Sequence, residues 1–146
     1  MDEDARYEQG RRLILDIWGE AEGAVVLERW RALSPDLERQ IVSFMFGDLW
    51  SRPAPAPDRK TRSLVHVATL TALHRPTQLR VHIVGALNNG ASEREIVETV
   101  LQVGLLAGFP TSWDALGVCN EVFAERRAPR VRDQEAPIRP NAAPES

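Results

Sequence analysis

Cysteine is almost absent from the chain: Cys119 is the only one. One thiol cannot close an internal disulfide, cannot form a Cys-x-x-Cys redox pair and cannot build a multi-cysteine zinc cage. Long apolar runs are missing too, and no stretch approaches the roughly 18 to 20 apolar residues that a membrane-spanning helix requires. The opening Met1-Asp2-Glu3-Asp4 is acidic where a secretory signal is basic, and no apolar stretch follows directly. A cytoplasmic location is therefore expected. Neither sign of charge is in large excess. A net charge of -3 argues against nucleic acid as the main partner, because a face that binds phosphates usually makes its domain basic. No P-loop, Gly-x-Gly-x-x-Gly or Gly-x-Ser-x-Gly occurs. His66, His74 and His82 fall outside His-x-x-x-His and His-Glu-x-x-His spacing, with no carboxylate beside them, so no metal site is expected. Aromatic residues are scarce at 6%, while Ala, Leu and Val dominate, which favours helix.

What is present suits one domain. The 146 residues are 43% hydrophobic and 27% charged, enough to bury a core without staples. Four of the ten prolines fall after Ala128, in a stretch with no apolar period. The expected organisation is a folded domain over 1–127 and a disordered Pro-rich tail over 128–146.

Helical period dominates the folded part. A first helix is predicted from Asp4 to about Trp18, with Tyr7, Leu13, Ile14 and Ile17 on one side. Gly19 and Gly23 bracket a break before a short helix over Ala24 to Arg31. Ser34-Pro35 combines an N-cap with a proline at the first helical position. The helix it opens is predicted to run to Leu49 with an apolar face of Leu37, Ile41, Phe44 and Met45. Three prolines between Ser51 and Pro57 make a stiff loop. Asp58 caps the next helix, to about Leu73. His74-Arg75-Pro76 breaks it, and another helix runs to about Asn89, ended by Asn88-Asn89-Gly90. Ser92 to Glu95 forms a capping box. The helix behind it, to Ala107, is nearly all apolar after Glu98 and is expected to be central. A last helix covers Thr111 to Arg126. No segment alternates as a strand, so the fold class is all-α, with six or seven helices.

Several residues could carry chemistry. Trp50 and Arg52 precede the proline loop, and Arg59, Lys60 and Arg62 follow it. They make either a solvated face with a packed Trp or an anion site, since arginine matches carboxylates bidentately and a helix start offers free N–H groups. His82 sits mid-helix on a face with Gln78, Leu79 and Ala86. It is either a satisfied core residue or the acid/base group that its near-neutral titration suits. If the two helices around Arg75-Pro76 form an antiparallel hairpin, Ser63 and His66 face His82 and Gln78, a polar cluster in an apolar hairpin. His74, at a helix end, and Cys119, among apolar neighbours, read as structural.

Taken together, these motifs resemble the gamma-carboxymuconolactone decarboxylase family. The resemblance is carried by Phe46-Gly47-Asp48-Leu49-Trp50-Ser51-Arg52-Pro53 and Asp58-Arg59-Lys60-Thr61-Arg62-Ser63-Leu64. It continues in Ala72-Leu73-His74-Arg75-Pro76, Leu79-Arg80-Val81-His82, Gly85-Ala86-Leu87-Asn88-Asn89-Gly90 and Ala107-Gly108-Phe109-Pro110. It spans about Tyr7 to Ala124.

The resemblance implies an alkylhydroperoxidase D-like helical fold assembled as a homo-oligomer, a trimer or hexamer. The redox branch's two cysteines fall on Arg75 and Gln78 and its glutamate on Ser63, so peroxidase chemistry is not expected. The implied activity is a cofactor-independent decarboxylation of a carboxylated lactone such as 4-carboxymuconolactone. Catalysis is assigned to His82, Arg62 and His66, and substrate binding to Trp50, Arg52, Arg59, Ser63, Gln78 and Gln102. The chain also departs from the family pattern. The proline loop is about two residues longer than usual, Val84 replaces a common Arg, Gln102 and Leu106 replace a His and a Tyr, and His66 stands where a Thr is usual. These changes leave two alternatives: a diverged enzyme that decarboxylates, isomerises or dehydrates another carbonyl acid in secondary metabolism, and a non-catalytic oligomeric binding protein.

Overall fold

A computed structural model describes residues 2–128. The expected tail from 129 onward lies outside the described residues. Seven α-helices and no strand occur among those residues: α1 (Glu3–Trp18), α2 (Glu20–Leu33), α3 (Pro35–Gln40), α4 (Arg59–Ala72), α5 (Pro76–Asn88), α6 (Glu93–Ala107) and α7 (Phe109–Arg127). A π-helical segment, Ile41–Leu49, continues α3 without a break. No helix among the described residues is long and apolar enough to cross a membrane.

Local chemistry sets most of the boundaries. The Ser34 side chain accepts from Leu37 N–H, with Pro35 at the first helical position. Asp58 accepts from Thr61 N–H at 2.7 Å. Ser92 and Glu95 satisfy each other's backbone N–H groups, completing the capping box. Helix α4 ends in a Schellman turn, in which Arg75 N–H donates to Leu70 O and His74 N–H to Thr71 O. His74 holds the left-handed position with φ of 50°. Its imidazole does not cap carbonyls of its own helix but lies 2.7 Å from the Thr111 hydroxyl of α7.

Three expectations change. Helix α2 starts at Glu20, because Gly19 alone (φ 86°) makes the break and Gly23 is buried inside α2. After Ile41 the buried positions are Val42, Ser43, Phe46 and Gly47, while Leu37 and Phe44 are exposed. The wider π turn, with Trp50 N–H donating to Met45 O five residues back, rotates the face away from an α-helical reading. Helix α6 is not central. It buries Ile96, Val100 and Gly104 but leaves Leu101, Leu105 and Leu106 exposed, the last at 90%.

The core has two lobes. One gathers Leu13, Ile14, Ile17, Trp18, Leu27, Val42, Phe46 and Trp50 from the first half of the chain. The other gathers Val67, Leu79, Ile83, Ile96, Val100, Cys119, Phe123 and their neighbours from α4 to α7. Val84 packs against both lobes, which marks the seam. Burial pushes the Cys119 thiol up to about 11, so it stays protonated as a small core group. In the first lobe α1 and the π segment meet backbone to backbone. A Cβ on Gly10 would sit 1.9 Å from Val42 O, and one on Gly47 would sit 2.0 Å from Arg6 O. This close approach fixes where the π segment delivers Trp50.

Candidate active site

The α4–α5 hairpin brings two imidazoles together at the seam. His66 and His82 approach Nδ1 to Nδ1 at 3.2 Å, with ring centroids 4.7 Å apart and planes at 68°. Indoles from the first lobe flank them: Trp50 lies 5.0 Å from the His66 ring and Trp18 lies 6.3 Å from that of His82. Phe46 touches both indoles, at 5.3 and 5.7 Å, so five rings close a circuit across the seam. Trp18 is held by its indole N–H, which donates to Val81 O at 3.3 Å.

This setting disfavours charge on the imidazoles. Burial first, and then the Arg62 guanidinium, lower the His66 pKa. Burial first, and then the neighbouring His66, push His82 down to about 4. Both rings are therefore neutral at pH 7. One Nδ1 carries the hydrogen that the other accepts.

The four cations around the proline loop have different fates. Arg52 lies 3.1 Å from the Asp48 carboxylate, Lys60 lies 2.9 Å from Glu95, and Arg59 pairs with Asp16. Arg62, one turn before His66, has no carboxylate partner among the described residues. Its Nε–H donates to Pro57 O at 2.9 Å, which ties the stiff loop to α4 and leaves the guanidinium charge uncompensated. Of the four, Arg62 is thus the one whose charge is free for an anion and the one whose field reaches His66.

Arg52 and Arg59 belong to a separate, open groove of about 1120 Å³ between α1 and the proline loop, together with Arg12, Glu8, Asp16 and Asp58. Neither imidazole lines this groove. Trp50 links the two places, lining the groove while its ring meets His66. Expecting all three arginines to converge on His82 thus finds only Arg62 beside the imidazole pair. Ser63 is engaged elsewhere: its hydroxyl donates to Arg59 O at 2.8 Å and accepts from Asn89 Nδ2 at 3.0 Å, binding α4 to the end of α5. Gln78 and Gln102 are exposed on α5 and α6, and neither bonds to the imidazoles. No cluster of three His, Cys, Asp or Glu able to hold a metal occurs among the described residues.

Sequence reasoning missed Trp18, since nothing in local spacing ties it to His82. It also missed the charged stripe Glu8, Arg12 and Asp16, which four-residue spacing on the polar side of α1 could have revealed.

Comparison with known proteins places the chain in a family. The model of the carboxymuconolactone decarboxylase family matches residues 35–121, a span that holds Trp50, Arg62, His66 and His82. A 4-carboxymuconolactone decarboxylase of Acinetobacter baylyi is 37% identical over 125 residues, covering 86% of this chain and 92% of the relative. An uncharacterized 15.0 kDa protein of Paracoccus denitrificans is 35% identical over 96 residues, covering 64% and 69%. A nitrosuccinic acid decarboxylase of Metarhizium robertsii is 28% identical over 117 residues, 80% of each chain. The chain belongs to the carboxymuconolactone decarboxylase family.

Proposed function

We propose that the protein is a carboxy-lyase that needs no cofactor and removes CO2 from a small carboxylated lactone of the 4-carboxymuconolactone type. The observation that carries this reading is the uncompensated Arg62 guanidinium beside a neutral imidazole pair walled by two indoles. Arg62 holds a carboxylate of the substrate. Breaking the C–CO2 bond leaves an electron pair that runs through the ring double bond into the lactone carbonyl. That oxyanion is stabilised by fixed positive charge in a water-poor site. The bound anion offsets the burial that keeps the imidazoles neutral, so a proton enters the pair along with the substrate. His82 then delivers a proton to carbon, CO2 departs, and the neutral imidazole regains a proton from solvent. Trp50 and the proline loop keep water away from the carbanion. The substrate supplies its own electron sink.

A second reading keeps the decarboxylation and changes the acid. It is favoured by the pairing of Arg52 and Arg59 with carboxylates, which leaves one free cation near the imidazoles, and by similarity to a relative named for nitrosuccinic acid.

The protein works as a homo-oligomer. Leu105, Leu106, Phe109 and Trp113, close in sequence where α6 passes into α7, are all exposed, Trp113 at 80%.

His82→Ala tests the lyase reading. Released CO2 should fall by ~10²- to 10⁴-fold, the range for a general acid, with unchanged helicity and molecular mass. Undiminished turnover would remove His82 from the mechanism.

A further inference from the structure

The Nδ1···Nδ1 contact has a consequence for how the donor is reloaded. A hydrogen bond between two Nδ1 atoms at 3.2 Å holds one hydrogen, not two and not none. Adding one proton to the pair places a hydrogen on each Nε2 and keeps one between the rings. Adding a second would put two N–H groups head to head. The charged and titratable groups around the pair do not change this count. From α4 the neighbour is the permanent cation Arg62; from α1 and the π segment the neighbours are the indoles Trp18 and Trp50, which do not titrate. Neither Nε2 has a hydrogen-bond partner among the described residues. In the charged pair each outer nitrogen therefore carries a hydrogen, and His82 Nε2 is the one that gives its hydrogen up and takes the next.

We infer that His66 and His82 form a proton relay in which His66 is a positioning residue that passes the bridging hydrogen to His82 as His82 gives up its own. The inference rests on the lyase reading for its direction, whereas the one-hydrogen bridge stands without it. When His82 Nε2 gives its proton to carbon, the bridging hydrogen shifts from His66 Nδ1 to His82 Nδ1. His66 keeps its Nε2–H and the pair becomes neutral. The next proton restores the charged pair: it enters at His82 Nε2, the outer nitrogen then without a hydrogen, and the bridging hydrogen moves back to His66 Nδ1. One proton enters and one leaves per turnover, with no net change in the protein. The direction follows from exposure, since His82 is the more deeply desolvated ring and the excess charge prefers His66.

Two measurements test this. In the first, ¹⁵N-labelled histidine in the free protein is titrated from pH 8 to pH 4 and read by NMR. A relay predicts that the two rings take up one proton together, with both Nδ1 signals moving in a single step. Two independent steps, or two rings in the same tautomer throughout, would overturn it whether or not the protein is a lyase. In the second, His66→Gln, which retains bulk, and His66→Ala are assayed on the acid that the wild type decarboxylates. The relay predicts a kcat lower by at least ~10-fold with KM within about 2-fold, inside the range for losing a proton-transfer group. It also predicts that imidazole added to His66→Ala restores the rate. Full activity in His66→Gln, or no response of His66→Ala to imidazole while it remains folded, would show that His66 only packs.

Discussion

Two imidazoles and one arginine carry the account at the scale of single residues. His82 is neutral because charge there is costly, and this cost links function to stability. Its folded pKa of about 4 lies below its ordinary value of 6.5. Between those values the unfolded chain binds a proton that the folded chain refuses. The stabilisation is complete above about pH 6.5 and is lost as pH falls toward 4, at no more than ~1.4 kcal/mol per pH unit. Urea unfolding at pH 7.5 and pH 5 should show this slope in the wild type and a shallower one in His82→Leu. Equal slopes would place the burial penalty elsewhere. Residue type made His82 and His66 visible in the sequence, and hairpin geometry predicted their meeting. Only side-chain pairing separates Arg62 from Arg52 and Arg59, because Asp48 and Asp16 neutralise the other two through contacts that a charge run does not reveal.

Helix starts and stops were legible at the scale of elements, because caps are local chemistry: Ser34-Pro35, Asp58, the Ser92–Glu95 box and Asn89-Gly90 each act through neighbours in sequence. The face of the segment after Gln40 was not legible. A π turn changes the angular step per residue, and an α-helical period then places Phe44 inward when it is exposed and Phe46 is buried. The contact that anchors this segment depends on two glycines far apart in sequence. A methyl at Gly10 would collide with the Val42 carbonyl, and main chain cannot swing aside as a side-chain tip can. Gly10→Ala should cost about 1–3 kcal/mol or more in chemical unfolding, the range for overpacking. It should also lower activity by displacing Trp50. A variant as stable as the wild type would mean that α1 and the π segment are not locked together.

For the whole molecule, two lobes meet at a seam that holds the polar residues, and α6 presents an apolar side that no other described residue covers. The nearly all-apolar stretch of α6 after Glu98 was legible, but its reading as a central helix was not correct. The same pattern suits a helix buried between chains. Leu106→Glu puts a charge in the middle of that surface. Sedimentation should show a wild-type mass several times the 16.3 kDa of one chain and a variant shifted toward that value. A monomeric wild type would refute the oligomer.

The most direct test concerns place: the chemistry is assigned to the seam behind Trp50, not to the open groove in front of it. Decarboxylation of 4-carboxymuconolactone, or of nitrosuccinic acid if that is the acid consumed, is measured for Arg62→Met and Arg59→Met side by side. The account predicts that kcat/KM falls by ~100-fold or more in the first, as expected for losing a charge aimed at the reacting anion, and changes only a few-fold in the second. The reverse order would move the reaction into the groove and contradict it.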